Sequence, residues 1–200
     1  PYCGQRGNRY NGRGAVSLSV ATGQASLPVA YQLYLPESWA NDPDRRAKAG
    51  VPEDVIFRTK PEIALAQIRA ALEAGVSPGM VLADAGYGND TAFRTGLTAM
   101  GLTYVVGVQS SIRLWSPGTQ PLPPKPWSGR GRPPSLVRRQ PGHAPVSAKE
   151  MAQALPEDAW RRVTWREGSK APLASRFAAV RVRPAHRDYW RTAPRAEEWF

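Results

Sequence analysis

Residues 80–90 read Met80-Val81-Leu82-Ala83-Asp84-Ala85-Gly86-Tyr87-Gly88-Asn89-Asp90, and the fold turns on how they are parsed. The apolar run Met80 to Ala83 has the length of a buried strand and is too short for a helix. It stops at a carboxylate, Asp84, after which Gly86 and Gly88 let the backbone turn sharply. Asn89 or Asp90 caps a helix whose apolar face is Phe93, Leu97 and Met100. Gly101 closes that helix, and Thr103 to Val108 reads as a second buried strand. So compact a strand–helix–strand run is a βαβ unit, with parallel strands and a right-handed crossover. Functional groups in such sheets gather at the carboxyl ends of the strands, where Asp84 stands. A plain turn aspartate, bonded to the backbone ahead of a glycine, is the other reading of the same residue.

Upstream, Val16, Leu18 and Val20 alternate with Ser17 and Ser19, and Thr22-Gly23-Gln24 is a turn signal. Leu27, Val29, Tyr31, Leu33 and Leu35 then alternate through a second strand, with Pro28 near its start. Two alternating strands about a short turn predict an antiparallel hairpin. A hairpin ahead of a βαβ unit predicts one mixed sheet. Residues 1–14, rich in Gly, Arg and Asn and free of acids, read as a loop. Residues 36–60 read as an exposed connection with one short helix near Arg45 to Ala49. Thr59-Lys60-Pro61-Glu62 starts a further helix, with Ile63, Leu65, Ile68 and Leu72 on its apolar side and Gly75 at its end.

Beyond Val108 the composition changes. Residues 110–145 are dense in proline and glycine and read as an extended, partly polyproline segment without core structure. Ala148 to Leu155 has a short helical pattern, and Arg161 to Trp165 and Phe177 to Val182 look like strands parted by Gly168-Ser169-Lys170. The expected organisation is a core over residues 1–110, a basic Pro/Gly-rich insertion over 111–178, and a return toward the core over 179–200.

The chain carries a formal net charge of +11 with a pI near 10.4, a balance that favours a polyanionic partner, nucleic acid above all. The charge has a position. From Thr91 through Lys149 there is no acid, while Arg113, Lys125, Arg130, Arg132, Arg138, Arg139 and Lys149 mark a candidate DNA-binding stretch. Within it, Gly129-Arg130-Gly131-Arg132-Pro133 contains the Arg-Gly-Arg-Pro core of AT-hook peptides, which lie in narrow minor grooves, although a plain solvated linker is the favoured reading of this motif by itself. The tryptophans of this half, Trp115, Trp127, Trp160, Trp165, Trp190 and Trp199, read mostly as packing for a thin insertion. A single cysteine, Cys3, excludes an internal disulfide and fits a reducing compartment. No run reaches the length of a membrane span. His143 and His186 with one cysteine make no zinc site, and neither a Walker A sequence nor G-x-S-x-G occurs.

Asp84-Ala85-Gly86-Tyr87-Gly88 also has the D-x-G-x-G form of a nucleoside-cofactor loop, which raises a methyltransferase-like reading. That reading wants an acid at the end of the next strand, and Gly107-Val108-Gln109-Ser110-Ser111 has none. A leading hairpin is also the wrong start for a doubly wound sheet. An RNase H-like α/β nuclease fits better: its sheet is mixed, and phosphodiester chemistry with hard cations needs clustered carboxylates.

A set of stretches, in order along nearly the whole chain, carries a closer resemblance. They are Val16-Ser17-Leu18-Ser19-Val20, Leu27-Pro28-Val29-Ala30-Tyr31 through Leu35-Pro36-Glu37-Ser38-Trp39, Ala49-Gly50-Val51-Pro52, Ala83-Asp84-Ala85-Gly86-Tyr87-Gly88, Trp165-Arg166-Glu167-Gly168 and Arg181-Val182-Arg183-Pro184. Together they resemble the middle of a bacterial insertion-sequence transposase of the DDE superfamily endonuclease group. The resemblance implies an RNase H-like catalytic domain with a β-rich insertion after the strand Thr103 to Val108. It further implies that Asp84 is the second of three catalytic, metal-binding acids, serving two Mg²⁺ ions (or Mn²⁺). The family's first Asp belongs to a strand ahead of Pro1. Its third acid, a Glu, belongs to a helix whose Tyr, Arg and Lys spacing Tyr189, Arg191 and Glu198 do not reproduce. The expectation is therefore a fragment, inactive alone, of an enzyme that cuts and joins duplex DNA at element ends. A homodimeric synaptic complex in the cytoplasm, at the nucleoid, is the expected setting. A non-catalytic DNA-binding remnant is the alternative.

Overall fold

The computed structural model describes residues 2–3, 8–9, 14–168 and 171–200. It divides into two compact units, residues 1–107 and 108–200. The loop expected over residues 1–14 lies mostly outside the described residues; β1 (Tyr2–Cys3) and β2 (Asn8–Arg9) within it pair antiparallel.

In the first unit, β3 (Gly14–Ala21) and β4 (Ser26–Tyr34) form the expected hairpin. Register separates the apolar faces of its strands. Val16 and Leu18 stand opposite Gln32 and Ala30, whereas Leu33 and Tyr31 stand opposite Ala15 and Ser17 on the other face. A bulge at Leu18/Ser19 shifts the phase, so that Val20 meets Leu27. Val16 is buried, and the apolar row of β4 is open: Leu27, Tyr31 and Leu33 are each more than 60% exposed.

Two short helices, α1 (Glu37–Ala40) and α2 (Pro43–Lys48), occupy the expected connection, the second capped by Asp42. Helix α3 (Lys60–Glu73) begins with a full capping box: Thr59 accepts from the Glu62 amide while the Glu62 carboxylate accepts from the Thr59 amide at 2.7 Å. It buries Ile63 and Ile68, and the Gln67 amide donates to the Val16 carbonyl at 3.1 Å, tying helix to hairpin.

Then come β5 (Val81–Ala83), the short α4 (Ala85–Gly88), α5 (Thr91–Ala99) and β6 (Tyr104–Val106). β5 and β6 are parallel, with Ala83 level with Val106. Ile68, Phe93, Leu97 and Leu102 make the core on which Leu18, Val81, Ala83, Tyr104 and Val106 close. Helix α3 thus packs against both strand pairs. The expected mixed sheet is realised as two separate two-stranded sheets, with no ladder between hairpin and parallel pair among the described residues. What they share is helical cover.

In the second unit an antiparallel four-stranded sheet runs β12 (Glu198–Trp199), β11 (Arg181–Pro184), β7 (Arg113–Trp115), β8 (Val146–Ser147). Residues 110–145 do contain core structure, contrary to their composition: Leu114, Trp115 and Val137 are buried. Leu114 and Trp115 belong to β7 itself, a short strand within the proline-rich run, and Val137, outside any strand, donates its amide to the Arg191 carbonyl at 2.8 Å. Arg181–Pro184 pairs antiparallel with β7. Helix α6 (Ala148–Ala154), with a capping box of Ser147 and Glu150, covers Leu114 and Val182 through Ala148 and Met151. The remaining pair, β9 (Arg161–Arg166) and β10 (Leu173–Phe177), is a two-stranded ribbon, so the strand expected over Phe177 to Val182 is split. Ser169 and Lys170 of the intervening loop lie outside the described residues.

Candidate functional site

Asp84 stands at the carboxyl end of β5, as the alternation of elements predicts, and its side chain is exposed. The turn reading of this residue is realised in its geometry. Oδ1 accepts the Gly86 amide at 2.8 Å, capping α4, while Oδ2 has no hydrogen-bond partner among the described residues. One oxygen is spent on the turn and the other faces solvent.

The turn beneath it is held tightly. The Gly107 amide donates to the Ala83 carbonyl at 2.8 Å, placing the end of β6 beside Asp84. A Cβ on Gly88 would lie 2.0 Å from the Gly107 carbonyl oxygen, so only glycine lets the two strand ends approach this closely. Arg94, on α5, is buried and donates to the Gly88 carbonyl at 2.5 Å and to the Thr91 hydroxyl at 3.4 Å. Although it lies within the acid-free stretch that starts at Thr91, its role is internal. Tyr87 packs its ring 5.7 Å from Phe93. Burial pushes its phenol above the ordinary tyrosine range, and the Asp84 carboxylate adds to the rise. Asp90 is spent on capping α5 through the Phe93 amide at 2.8 Å.

The candidate DNA-binding residues fall into two groups, all in the second unit. Three are engaged within it. Arg139 donates through Nε at 3.0 Å to Asp188, which is 1% exposed and also accepts the Trp115 indole N–H at 2.5 Å. Arg113 donates to the Pro145 carbonyl and lies 3.5 Å from Glu150. Arg138 donates to the Pro123 carbonyl at 3.0 Å. Lys125, Arg130, Arg132 and Lys149 are exposed, and their side chains make no hydrogen bond or ion pair among the described residues. Arg130 sits between Gly129 and Gly131, both at positive φ, in a turn closed by the Trp127 indole donating to the Gly131 carbonyl at 3.2 Å. This is a turn, not the extended strand of an AT-hook. The tryptophans also differ from expectation. Trp115 alone among them is fully buried, and Trp127, Trp165, Trp190 and Trp199 are each 55% exposed or more.

Against this geometry, a family model described as DDE superfamily endonuclease matches residues 1–172. The chain belongs to the DDE superfamily endonucleases. No curated protein and no solved structure matches it. Membership makes transposase-type nuclease activity on DNA the general expectation, and DDE endonucleases generally use divalent metal ions.

The donor set of this DDE chain meets that requirement only in part. Among the described residues no three His, Cys, Asp or Glu side chains lie close enough to hold a metal ion. Asp84 offers one open oxygen, which fits one position of a hard cation's shell and is not a site. Glu197 is paired to Arg183 at 3.2 Å and Glu198 lies on strand β12, so neither stands on a helix as a third acid would. No described helix is long and apolar enough to cross a membrane.

Proposed function

We propose that this chain is part of the catalytic domain of an insertion-sequence transposase, RNase H-like in arrangement, that cuts and joins DNA strands at element ends. Asp84 is one of its metal-binding carboxylates, and the remaining acids come from segments other than those described. The observation that carries this reading is the Asp84 carboxylate, at a strand end, with Oδ2 open and its turn locked by Gly88, Gly107 and Arg94.

Two Mg²⁺ ions bound at such a centre supply Lewis-acid activation and charge stabilisation to phosphodiester cutting and joining. The chain's own contribution is positional. The cap to Gly86 fixes the rotation of the carboxylate, so Oδ2 is presented without further ordering cost. Tyr87, a neutral phenol at physiological pH whose titration burial moves still higher, adds no competing charge beside it. The exposed cations of the second unit, Lys125, Arg130, Arg132 and Lys149, hold the DNA backbone. One open oxygen competes poorly with water for Mg²⁺, so the 200-residue chain alone does not cleave.

The test uses the complete reading frame that contains this segment, with supercoiled plasmid bearing the element ends and Mg²⁺. Asp84→Asn and Asp84→Ala are expected to abolish cleavage while leaving end binding intact. Cleavage that survives either substitution overturns the assignment, as does Mg²⁺-dependent cleavage by residues 1–200 alone.

A further inference from the structure

The basic stretch read from the sequence ends at Lys149, but the ribbon β9–β10 that follows carries four more arginines. Arg161, Arg162 and Arg166 lie on β9 and Arg176 on β10, and neither strand contains an acid. Every residue of β9 is exposed, and all of β10 except Ala174. Both faces of the ribbon are therefore open.

Arg162 and Arg176 stand opposite each other in register. Like charges facing each other across strands oppose pairing. Arg176 is compensated by Glu157 at 2.7 Å, with its guanidinium 5.9 Å over the Trp160 ring. The guanidinium groups of Arg161, Arg162 and Arg166 have no hydrogen bond or ion pair among the described residues. A two-stranded ribbon is marginal by itself in water, and this one leaves three positive charges unmatched. A polyanion resolves both costs together. Duplex DNA fits by shape as well as by charge, since its major groove, about 12 Å wide, admits a two-stranded ribbon. The Trp165 and Phe177 rings, edge-to-face at 5.8 Å, already contact each other, which disfavours stacking on unpaired bases.

We infer that β9–β10 is a second DNA-contacting surface, in which Arg162 and Arg166 neutralise phosphates of duplex DNA. This rests on the DNA-acting reading above and adds a surface to it.

The test is fluorescence anisotropy of the whole chain with a labelled duplex, titrated at several salt concentrations. Each lost phosphate contact lowers the slope of log affinity against log salt by about 0.9. Arg162→Ala/Arg166→Ala is expected to lower it by about 1.8, so raising salt from about 50 to 200 mM costs the variant roughly tenfold less affinity than wild type. Arg162→Gln/Arg166→Gln, which keeps side-chain length, should behave alike with an unchanged urea midpoint. Lys48→Ala/Arg69→Ala, exposed cations of the first unit, should leave the slope near wild type. An unchanged slope in both ribbon variants, with wild type binding normally, overturns this inference alone. Loss of single-strand binding with duplex binding intact overturns the duplex assignment. No salt-dependent duplex binding by wild type overturns the parent reading, and this one with it.

Discussion

A residue that both caps a helix and presents a ligand oxygen has two separable roles. Asp84 caps α4 through Oδ1, and asparagine caps as well as aspartate. Asp84→Asn should therefore leave the urea midpoint nearly unchanged, whereas Asp84→Ala should cost about 0.5–2 kcal/mol. Both should remove whatever the carboxylate does chemically, so the pair of melts separates fold from function. The same Asp84→Asn change should lower the Tyr87 pKa toward, but not to, its ordinary value of 10.0, because burial is the larger cause and remains. Absorbance titration of the phenolate reads this directly. The linkage runs one way: a raised folded-state value stabilises fully below the unfolded value and is lost as pH climbs through the folded one. Gly88→Ala should cost about 1–3 kcal/mol or more, since its Cβ would press on the Gly107 backbone and not on a mobile side chain.

Among elements, the sharpest test lies in the second unit, where Asp188 receives Trp115 and Arg139. Asp188→Ala leaves a buried indole donor and a half-buried guanidinium without their acceptor, at a cost of about 3 kcal/mol. That figure is at the low end for a broken buried pair, because Arg139 keeps partial contact with water. A urea melt followed by tryptophan emission would show it. Helix α3 gives a pH prediction. Hydrogen bonds from the Thr59 backbone and hydroxyl hold Glu62 below its ordinary 4.5, so its contribution is present above that value and lost as pH falls through the folded one. Glu62→Gln preserves the box and should flatten the dependence of the melting temperature on pH below 4.5.

These contacts mark what was legible. Caps, turns and the strand carrying Asp84 are local patterns, and alternation and capping chemistry expose them. Alternation reports the two faces of a strand but not the register that joins it to another. Hence Val16 opposite Gln32 was out of reach. Arg139 reads as solvated inside an acid-free stretch because its partner Asp188 lies 49 residues further on. At the candidate site the carboxylate and its glycines were visible in the motif. The Arg94 latch was not, since a lone arginine on a helix carries no sign of the carbonyl it will reach.

At the level of the whole molecule, the second unit has its own sheet, its own helix and its own buried polar lock. Residues 108–200 expressed alone should unfold cooperatively in urea, with buried Trp115 as reporter; a broad, gradual loss of signal would show that they depend on the first unit. The first unit carries a different liability. On the face of β4 turned away from Val16, Tyr31 and Leu33 are each more than 60% exposed, and Leu27, beyond the bulge, is open as well. Such a surface favours intermolecular stacking, opposed on that strand only near Pro28 and the bulge beside it. Purified material should gel or precipitate as it is concentrated, and a single lysine at Leu33 should raise the ceiling at which it does.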